Sequence, residues 1–462
     1  MSSQSVYEKW MGRISEKFMD RYPESARLHE KAQKYLPGGD TRTVTFFKPF
    51  PIFMERGEGF RLFDVDGHVY TDFLNNYTSL IHGHAHPAIV KAVTDQATKG
   101  FSFPSPMENQ AVLGEMICER VKSVEQIRFQ NSGTEATMNA IKAARIYSGK
   151  SKIVKMEGAY HGTHDWAEVS IYPSLDLVGP VDRPNKIPMS RGVPKCILDD
   201  VIVVPFNNQE VTEKLIRENQ NDIACVIVEP IMAAAGLIPP EGNFLQFLRD
   251  LTRKLNILLI FDEIVTFRLA PGGVQEIFKV DADLTAFGKI IGGGLPVGAF
   301  GGPKEIMKIY SPREKTYVSQ SGTFNANPMT ISAGIAALKA LTPKVIEHIN
   351  SLGDALGKGI NAAFEKAGIK GVAMGWGSLR HVHFNAEKIR DYRSAQKGNV
   401  QAMQLLHLEL LERGIYMAPR GGELAISTPM TEKEVKAYLA AFEESLANVK
   451  PFVEETTPHL IR

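Results

Sequence analysis

Lys289 stands in Asp283-Leu284-Thr285-Ala286-Phe287-Gly288-Lys289-Ile290-Ile291-Gly292-Gly293-Gly294, at the end of an apolar, strand-like run and ahead of glycines that let the backbone approach a ligand. A lysine so placed is partly desolvated and can act as a neutral amine, the nucleophile that forms a Schiff base with a carbonyl. Asp262, 27 residues upstream, ends the apolar run Ile257-Leu258-Leu259-Ile260-Phe261. That places a carboxylate at the carboxyl edge of a buried parallel strand, where α/β folds bind ligands and where it could hold a pyridinium nitrogen protonated. The pair points to pyridoxal phosphate chemistry. Two nucleotide motifs are excluded. A P-loop needs Ser or Thr after the lysine and a glycine five positions before its Gly-Lys, but Ile290 and Asp283 occupy those places. Gly292, Gly294 and Gly298 miss the dinucleotide spacing by one residue and follow a lysine-bearing loop instead of opening a βαβ unit.

Asn131-Ser132-Gly133-Thr134-Glu135-Ala136 opens a helix with small polar residues. The segment suits a phosphate seat, since the first-turn amides point outward and the helix dipole favours an anion; it suits an ordinary N-cap equally well. Gly158-Ala159-Tyr160-His161-Gly162-Thr163-His164 follows a strand, so Tyr160 either stacks on a pyridine ring at the same edge or is a glycine-flanked surface tyrosine. His82, His84, His86, His161 and His164 lack an accompanying carboxylate or thiolate set, and no metal is expected.

Elements must position these groups. The 462 residues, 44% hydrophobic and 23% charged, suit a large globular core and exclude a disordered chain. A net charge of +1 without long single-sign runs argues against nucleic acid and anionic membranes and favours a small-molecule substrate. Cys118, Cys196 and Cys225, far apart among apolar neighbours, read as buried reduced thiols. No signal-peptide core and no run of membrane-spanning length is visible, so a cytoplasmic protein is expected. Tyr7 to Leu36 reads as a helical arm stopped by Pro37-Gly38-Gly39, and Phe60 to Tyr70 as a β-hairpin turning at Asp66-Gly67. Strands at 152–156, 201–204, 225–228 and 257–261 alternate with amphipathic segments such as Asn243 to Leu255. That is an α/β pattern with a mostly parallel sheet, followed by a helix from Pro328 to Leu341 and a smaller α+β domain containing a helix at 400–411. The expected division is 1–75 (arm and hairpin), 76–342 (large cofactor domain) and 343–462 (small domain).

Taken together, Asn131 to Ala136, Tyr160-His161-Gly162, Glu229-Pro230, Asp262-Glu263-Ile264 and Gly288-Lys289 stand in the order found in fold-type I pyridoxal phosphate enzymes, and the chain resembles their class III aminotransferases over nearly its whole length. The resemblance implies that Lys289 holds the cofactor covalently, Asp262 pairs with the ring nitrogen, Tyr160 and Ile264 sandwich the ring, and Ser132, Gly133 and Thr134 hold the phosphate. His161 and Glu229 join the cofactor set. Thr323, in Gly322-Thr323-Phe324-Asn325, would reach the phosphate of a neighbouring subunit, which implies a homodimer with shared active sites.

Two subfamilies are similar. Leu259 to Gly302 looks like glutamate-1-semialdehyde aminomutase, which carries a glycine between the counterparts of Thr266 and Phe267 and Ser-Gln near position 420. Pro37 to Arg42, Arg268-Leu269-Ala270-Pro271, Ser321 to Asn327 and Ala418-Pro419-Arg420-Gly421 look like β-phenylalanine and related β-amino-acid aminotransferases. By that likeness Arg42 and Arg420 receive the carboxylates of the amino donor and the keto-acid acceptor, guanidinium forks being suited to both, and Tyr77 lines the substrate site. The reading is ping-pong transamination of an apolar or aromatic β-amino acid with an α-keto acid such as 2-oxoglutarate, the alternative being the aminomutase or a related intramolecular amino transfer.

Overall fold

The computed structural model describes residues 3–419 and 421–462. Its centre is a seven-stranded sheet of β1 (Gln126–Gln130), β2 (Lys152–Met156), β3 (Val201–Val204), β4 (Ile223–Val228), β5 (Leu258–Asp262), β6 (Leu284–Gly288) and β7 (Gly298–Gly302). Their spatial order is β1-β7-β6-β5-β4-β2-β3. All neighbours pair in parallel except β7, which runs antiparallel to both β1 and β6. Strands β3, β4 and β5 are rich in Val, Ile and Leu because both faces are covered, and every residue of β4 is buried. Helix α1 (Gly133–Ser148) lays Ala140, Ile141 and Ala144 against Val203, Ile227, Ile260 and Leu284 of the sheet. This is the mostly parallel α/β sheet expected from the apolar runs, and β2 and β3 fall on the predicted residues. β1 and β7 went unpredicted because charged and glycine residues break their apolar pattern.

The chain forms two compact units. One comprises Pro87–Glu347 and Ile389–Gln396; the other comprises the residues up to His86, His348–Lys388 and Lys397–Arg462. This differs from the expected cuts after 75 and 342, and the physical reason lies in the pairing of the hairpin. Arg61–Asp64 and Val69–Asp72 form the anticipated antiparallel pair, and Val69–Asp72 then pairs in parallel with Ile415–Tyr416. Asn75 Nδ2 also donates to Ala425 O at 2.7 Å, so the N-terminal segment folds with the C-terminal strands as one unit.

Two further expectations are corrected. The arm is two helices, Ser3–Arg21 and Pro23–Gln33, because proline drives Tyr22 out of helical geometry. Of the cysteines only Cys225 is buried; Cys118 is half-buried and Cys196, on the short helix Lys195–Asp199, is exposed. No single described helix is long and apolar enough to cross a membrane.

Candidate active site

The carboxyl ends of β5 and β6 carry the two residues on which the chemistry turns. Asp262 closes β5 and Lys289 follows β6 directly. Lys289 has φ 50°, a left-handed conformation that costs a non-glycine residue energy and marks a side chain aimed by its surroundings. Asp262 is 5% exposed. Its Oδ1 accepts from Ile264 N at 3.2 Å and its Oδ2 from His161 Nδ1 at 2.8 Å. Burial pushes the Asp262 carboxyl up to about 7, against the pull of Ile264 N–H and of the nearby Lys289 ammonium. Burial also takes His161 down to about 3, so the contact is a hydrogen bond from a neutral ring and not an ion pair.

Tyr160 and His161 are held from behind by Glu229, whose Oε1 accepts from Tyr160 N at 2.8 Å and whose Oε2 accepts from Ala233 N at 3.0 Å. Burial pushes Glu229 up to about 7. Lys155, wholly buried in β2, donates to Ala159 O at 3.0 Å and to Val169 O, folding the Tyr160 segment back on itself. Desolvation draws its ammonium down to about 7. Sequence reasoning missed Lys155; the signal was a lysine flanked by Ile153, Val154 and Met156 inside a strand read as buried.

The anion seat lies beside this pair. Ser132 caps α1, its Oγ accepting from Glu135 N at 3.2 Å, and Glu135 Oε2 accepts from Asn131 N at 2.7 Å. The Gly133 and Thr134 amides begin the first turn, where a helix offers no internal acceptor. Glycines close the assembly. A Cβ on Gly133 would lie 2.7 Å from Ile264 Cδ1, one on Gly162 2.6 Å from Thr134 Cα, and one on Gly298 1.9 Å from Ser132 O. Ile264 also lies within 3.3 Å of the Cβ position of Gly288. Ser132, Gly133, Thr134, His161, Asp262, Ile264 and Lys289 are thus brought into one neighbourhood, with Tyr160, 42% exposed, at its rim. Thr323 lies on an exposed loop whose neighbours are tied down: Arg128 holds Gln320, and Asn131 Nδ2 donates to Asn325 Oδ1 at 3.0 Å.

Within the other unit, Arg42 and Tyr77 meet. The guanidinium carbon lies 4.9 Å from the Tyr77 ring centre, and Nη1 donates to Asn76 Oδ1 at 2.7 Å. Arg420 lies outside the described residues. Glu263, next to Asp262, is structural: Val274 N, Gln275 and Thr266 all donate to its buried carboxylate. Among the described residues no group of three or more His, Cys, Asp or Glu side chains is arranged to hold a metal.

These residues fit pyridoxal phosphate. A cation at the ring nitrogen would offset the burial that raises Asp262, a first-turn amide pair faces an anion, and glycine at 133 leaves the space beside Ile264 that a Cβ would fill. Fold and site together define a pyridoxal phosphate-dependent transferase of fold type I. The family described as aminotransferase class-III matches residues 46–444, and the chain belongs to it. The glutamate-1-semialdehyde 2,1-aminomutase of Methanopyrus kandleri is 40% identical over 93% of this chain and 98% of its own. The crystal structure of an omega-transaminase from Sphaerobacter thermophilus shares 43% identity at a TM-score of 0.89, covering 92% of this chain and 98% of that one. A β-phenylalanine aminotransferase from Variovorax paradoxus has a TM-score of 0.87 and 35% identity, covering 96% and 98%.

Proposed function

We propose that this enzyme exchanges amino groups on small carboxylate-bearing substrates, and that its principal reaction is intramolecular: the 2,1-shift of glutamate-1-semialdehyde to 5-aminolevulinate. The observation that carries this reading is the near full-length similarity to the curated aminomutase. In this role Ser132, Gly133 and Thr134 hold the cofactor phosphate, Tyr160 and Ile264 flank its ring, and Lys289 anchors it covalently. Asp262, oriented by His161 Nδ1–H, holds the ring nitrogen protonated, while Glu229 fixes the Tyr160 backbone. Bound pyridoxal phosphate supplies the electron sink for charge left on the substrate carbon. Lys289, released as a free amine, takes the proton from the amine-bearing carbon and returns it at the other end of the exchange. Arg42 and Tyr77, with Arg420, receive carboxylate, and Thr323 serves the partner subunit's phosphate in a cytoplasmic homodimer.

A second reading, transamination of β-amino acids with an α-keto acid, is favoured by the likeness to the β-phenylalanine aminotransferase and by the Arg42 fork. Acceptor dependence separates the two. Holoenzyme given glutamate-1-semialdehyde alone should form 5-aminolevulinate at full rate without any keto acid. If turnover appears only with β-amino acids plus 2-oxoglutarate or pyruvate, the aminomutase reading gives way to the transaminase.

A further inference from the structure

We infer that Asn76 sets a preference for carboxylate-bearing substrates by holding the Arg42 guanidinium without neutralising it. The inference rests on the proposed role of Arg42 as a carboxylate receiver.

It begins with an uncommon backbone. Asn75, Asn76, Tyr77 and Thr78 have φ of 52°, 48°, 54° and 72°, four successive non-glycine residues in the left-handed region. Such a turn persists only where its surroundings over-determine it. Here Asp72 Oδ1 accepts from both Leu74 N and Asn75 N at 2.8 Å, and Asn75 Nδ2 is bound to Ala425 O. Consecutive residues of the turn then serve one partner: Asn76 supplies an acceptor to Arg42 Nη1, and Tyr77 supplies a ring face under the guanidinium. Tyr77 Oη also donates to Val44 O at 2.8 Å, tying the turn to the segment that carries Arg42.

Charge decides what this cluster recognises. Asp40 is a carboxylate whose charge reaches Arg42, yet its hydrogen bonds go to other groups than the guanidinium: Oδ1 accepts from Thr41 N at 2.6 Å and the Arg42 backbone N at 3.2 Å, while Oδ2 accepts from the Thr45 hydroxyl. Among the described residues the side-chain acceptor on the exposed Arg42 fork is therefore a neutral amide. A guanidinium carries five N–H donors in a plane, so one bond to Asn76 fixes its orientation and leaves an edge for bidentate carboxylate. A carboxylate at position 76 would hold the fork equally well but cancel its charge and repel an incoming anion.

Asn76→Asp tests this in the holoenzyme, and aspartate tolerates left-handed φ, so the turn should survive. Dissociation constants come from single-turnover kinetics with 3-aminobutanoate against 2-aminobutane, and with 4-aminopentanoate against 2-aminopentane, pairs differing in a carboxylate for a methyl group. Wild type should prefer the carboxylate member of at least one pair. The variant should bind that member about tenfold more weakly, with its maximal rate unchanged and the affinity of the carboxylate-free amine not weakened. Asn76→Gly, which keeps the backbone conformation but removes the acceptor that orients the fork, should reduce the preference by less than Asn76→Asp does. Equal weakening of both members, or an undiminished preference in Asn76→Asp, overturns the inference. If Arg42→Ala removes the preference while Asn76→Asp does not, the role of Asn76 alone fails. If wild type shows no preference, or Arg42→Ala retains it, the Arg42 assignment fails and takes the inference with it.

Discussion

At the scale of single residues the chemistry turns on two groups, Lys289 in a left-handed backbone and Asp262 made unusual by burial. Borohydride reduction of the holoenzyme should fix cofactor onto Lys289, read by peptide mapping, and Lys289→Ala should slow turnover by at least about 10²–10⁴ from loss of the positioned base alone. A label on another lysine, or full turnover in the variant, refutes the assignment. Asp262 yields a pH prediction for the apoprotein. Its carboxyl, ordinarily near 3.8, is raised to about 7 in the fold, so the folded chain keeps a proton that the unfolded chain releases across that window. Stability is present below pH 3.8 and is lost as pH rises through 7, by about 4 kcal/mol for a shift of this size. Glu229, raised to about 7, acts in the same direction, whereas His161, lowered to about 3, removes stability as pH falls below 6.5. Asp262→Asn deletes the Asp262 contribution and the part of the Glu229 shift that the Asp262 charge causes, both in the same direction. Relative to wild type, the apo variant's melting temperature should therefore improve from pH 5 to about pH 7 and level off above it, and a pH-independent difference would contradict the burial argument.

At the scale of elements, the phosphate seat depends on a strand that sequence reading did not recover. β7 is Gly-Ala-Phe-Gly-Gly, which gives no apolar alternation, yet its first glycine allows Ser132 O to approach the backbone. Gly298→Ala would bring a methyl group within 1.9 Å of that oxygen and displace the start of α1. Cofactor affinity of the variant, followed by fluorescence titration, should fall about tenfold or more with far-ultraviolet circular dichroism unchanged. Wild-type affinity would show that the seat tolerates the shift. The contrast with β2 and β5 explains what was legible. Buried parallel strands announce themselves as Val/Ile/Leu runs, and the residues that end them, Met156 before the Tyr160 loop and Asp262 itself, came with the runs. The glycines around Ser132, the role of Lys155 under the Tyr160 segment and the left-handed turn at Asn75–Thr78 depend on contacts between distant segments. No local periodicity encodes those contacts.

At the scale of the whole molecule, the exposed loop at Ser321–Asn325 ties the phosphate seat to the chain's surface. Its base is rigid: Arg128 Nε and Nη2 hold Gln320 at 2.6 and 2.9 Å, and Asn325 is bonded to Asn131 beside the phosphate seat. Its tip, with Thr323 and Phe324, is exposed in the single chain, and Phe324 is 58% accessible. An anchored loop that presents a hydroxyl and an aromatic ring outward suits a second copy of the chain whose phosphate group the hydroxyl completes. The proposed shared site makes assembly and cofactor retention one equilibrium. Sedimentation should show a dimer for holoenzyme, and dilution that produces monomers should release pyridoxal phosphate in parallel. Thr323→Ala removes one hydrogen bond to a charged group, worth about 1.5–3 kcal/mol, and should weaken cofactor affinity by roughly one to two decades. Because Thr323 would serve the opposite site, heterodimers of Thr323→Ala with Lys289→Ala subunits divide the defects. The one intact lysine, on the Thr323→Ala chain, would receive its threonine from the Lys289→Ala partner and should hold cofactor with wild-type affinity. Weak binding at that lysine, or an active monomer that retains cofactor normally, would show that each chain completes its own site.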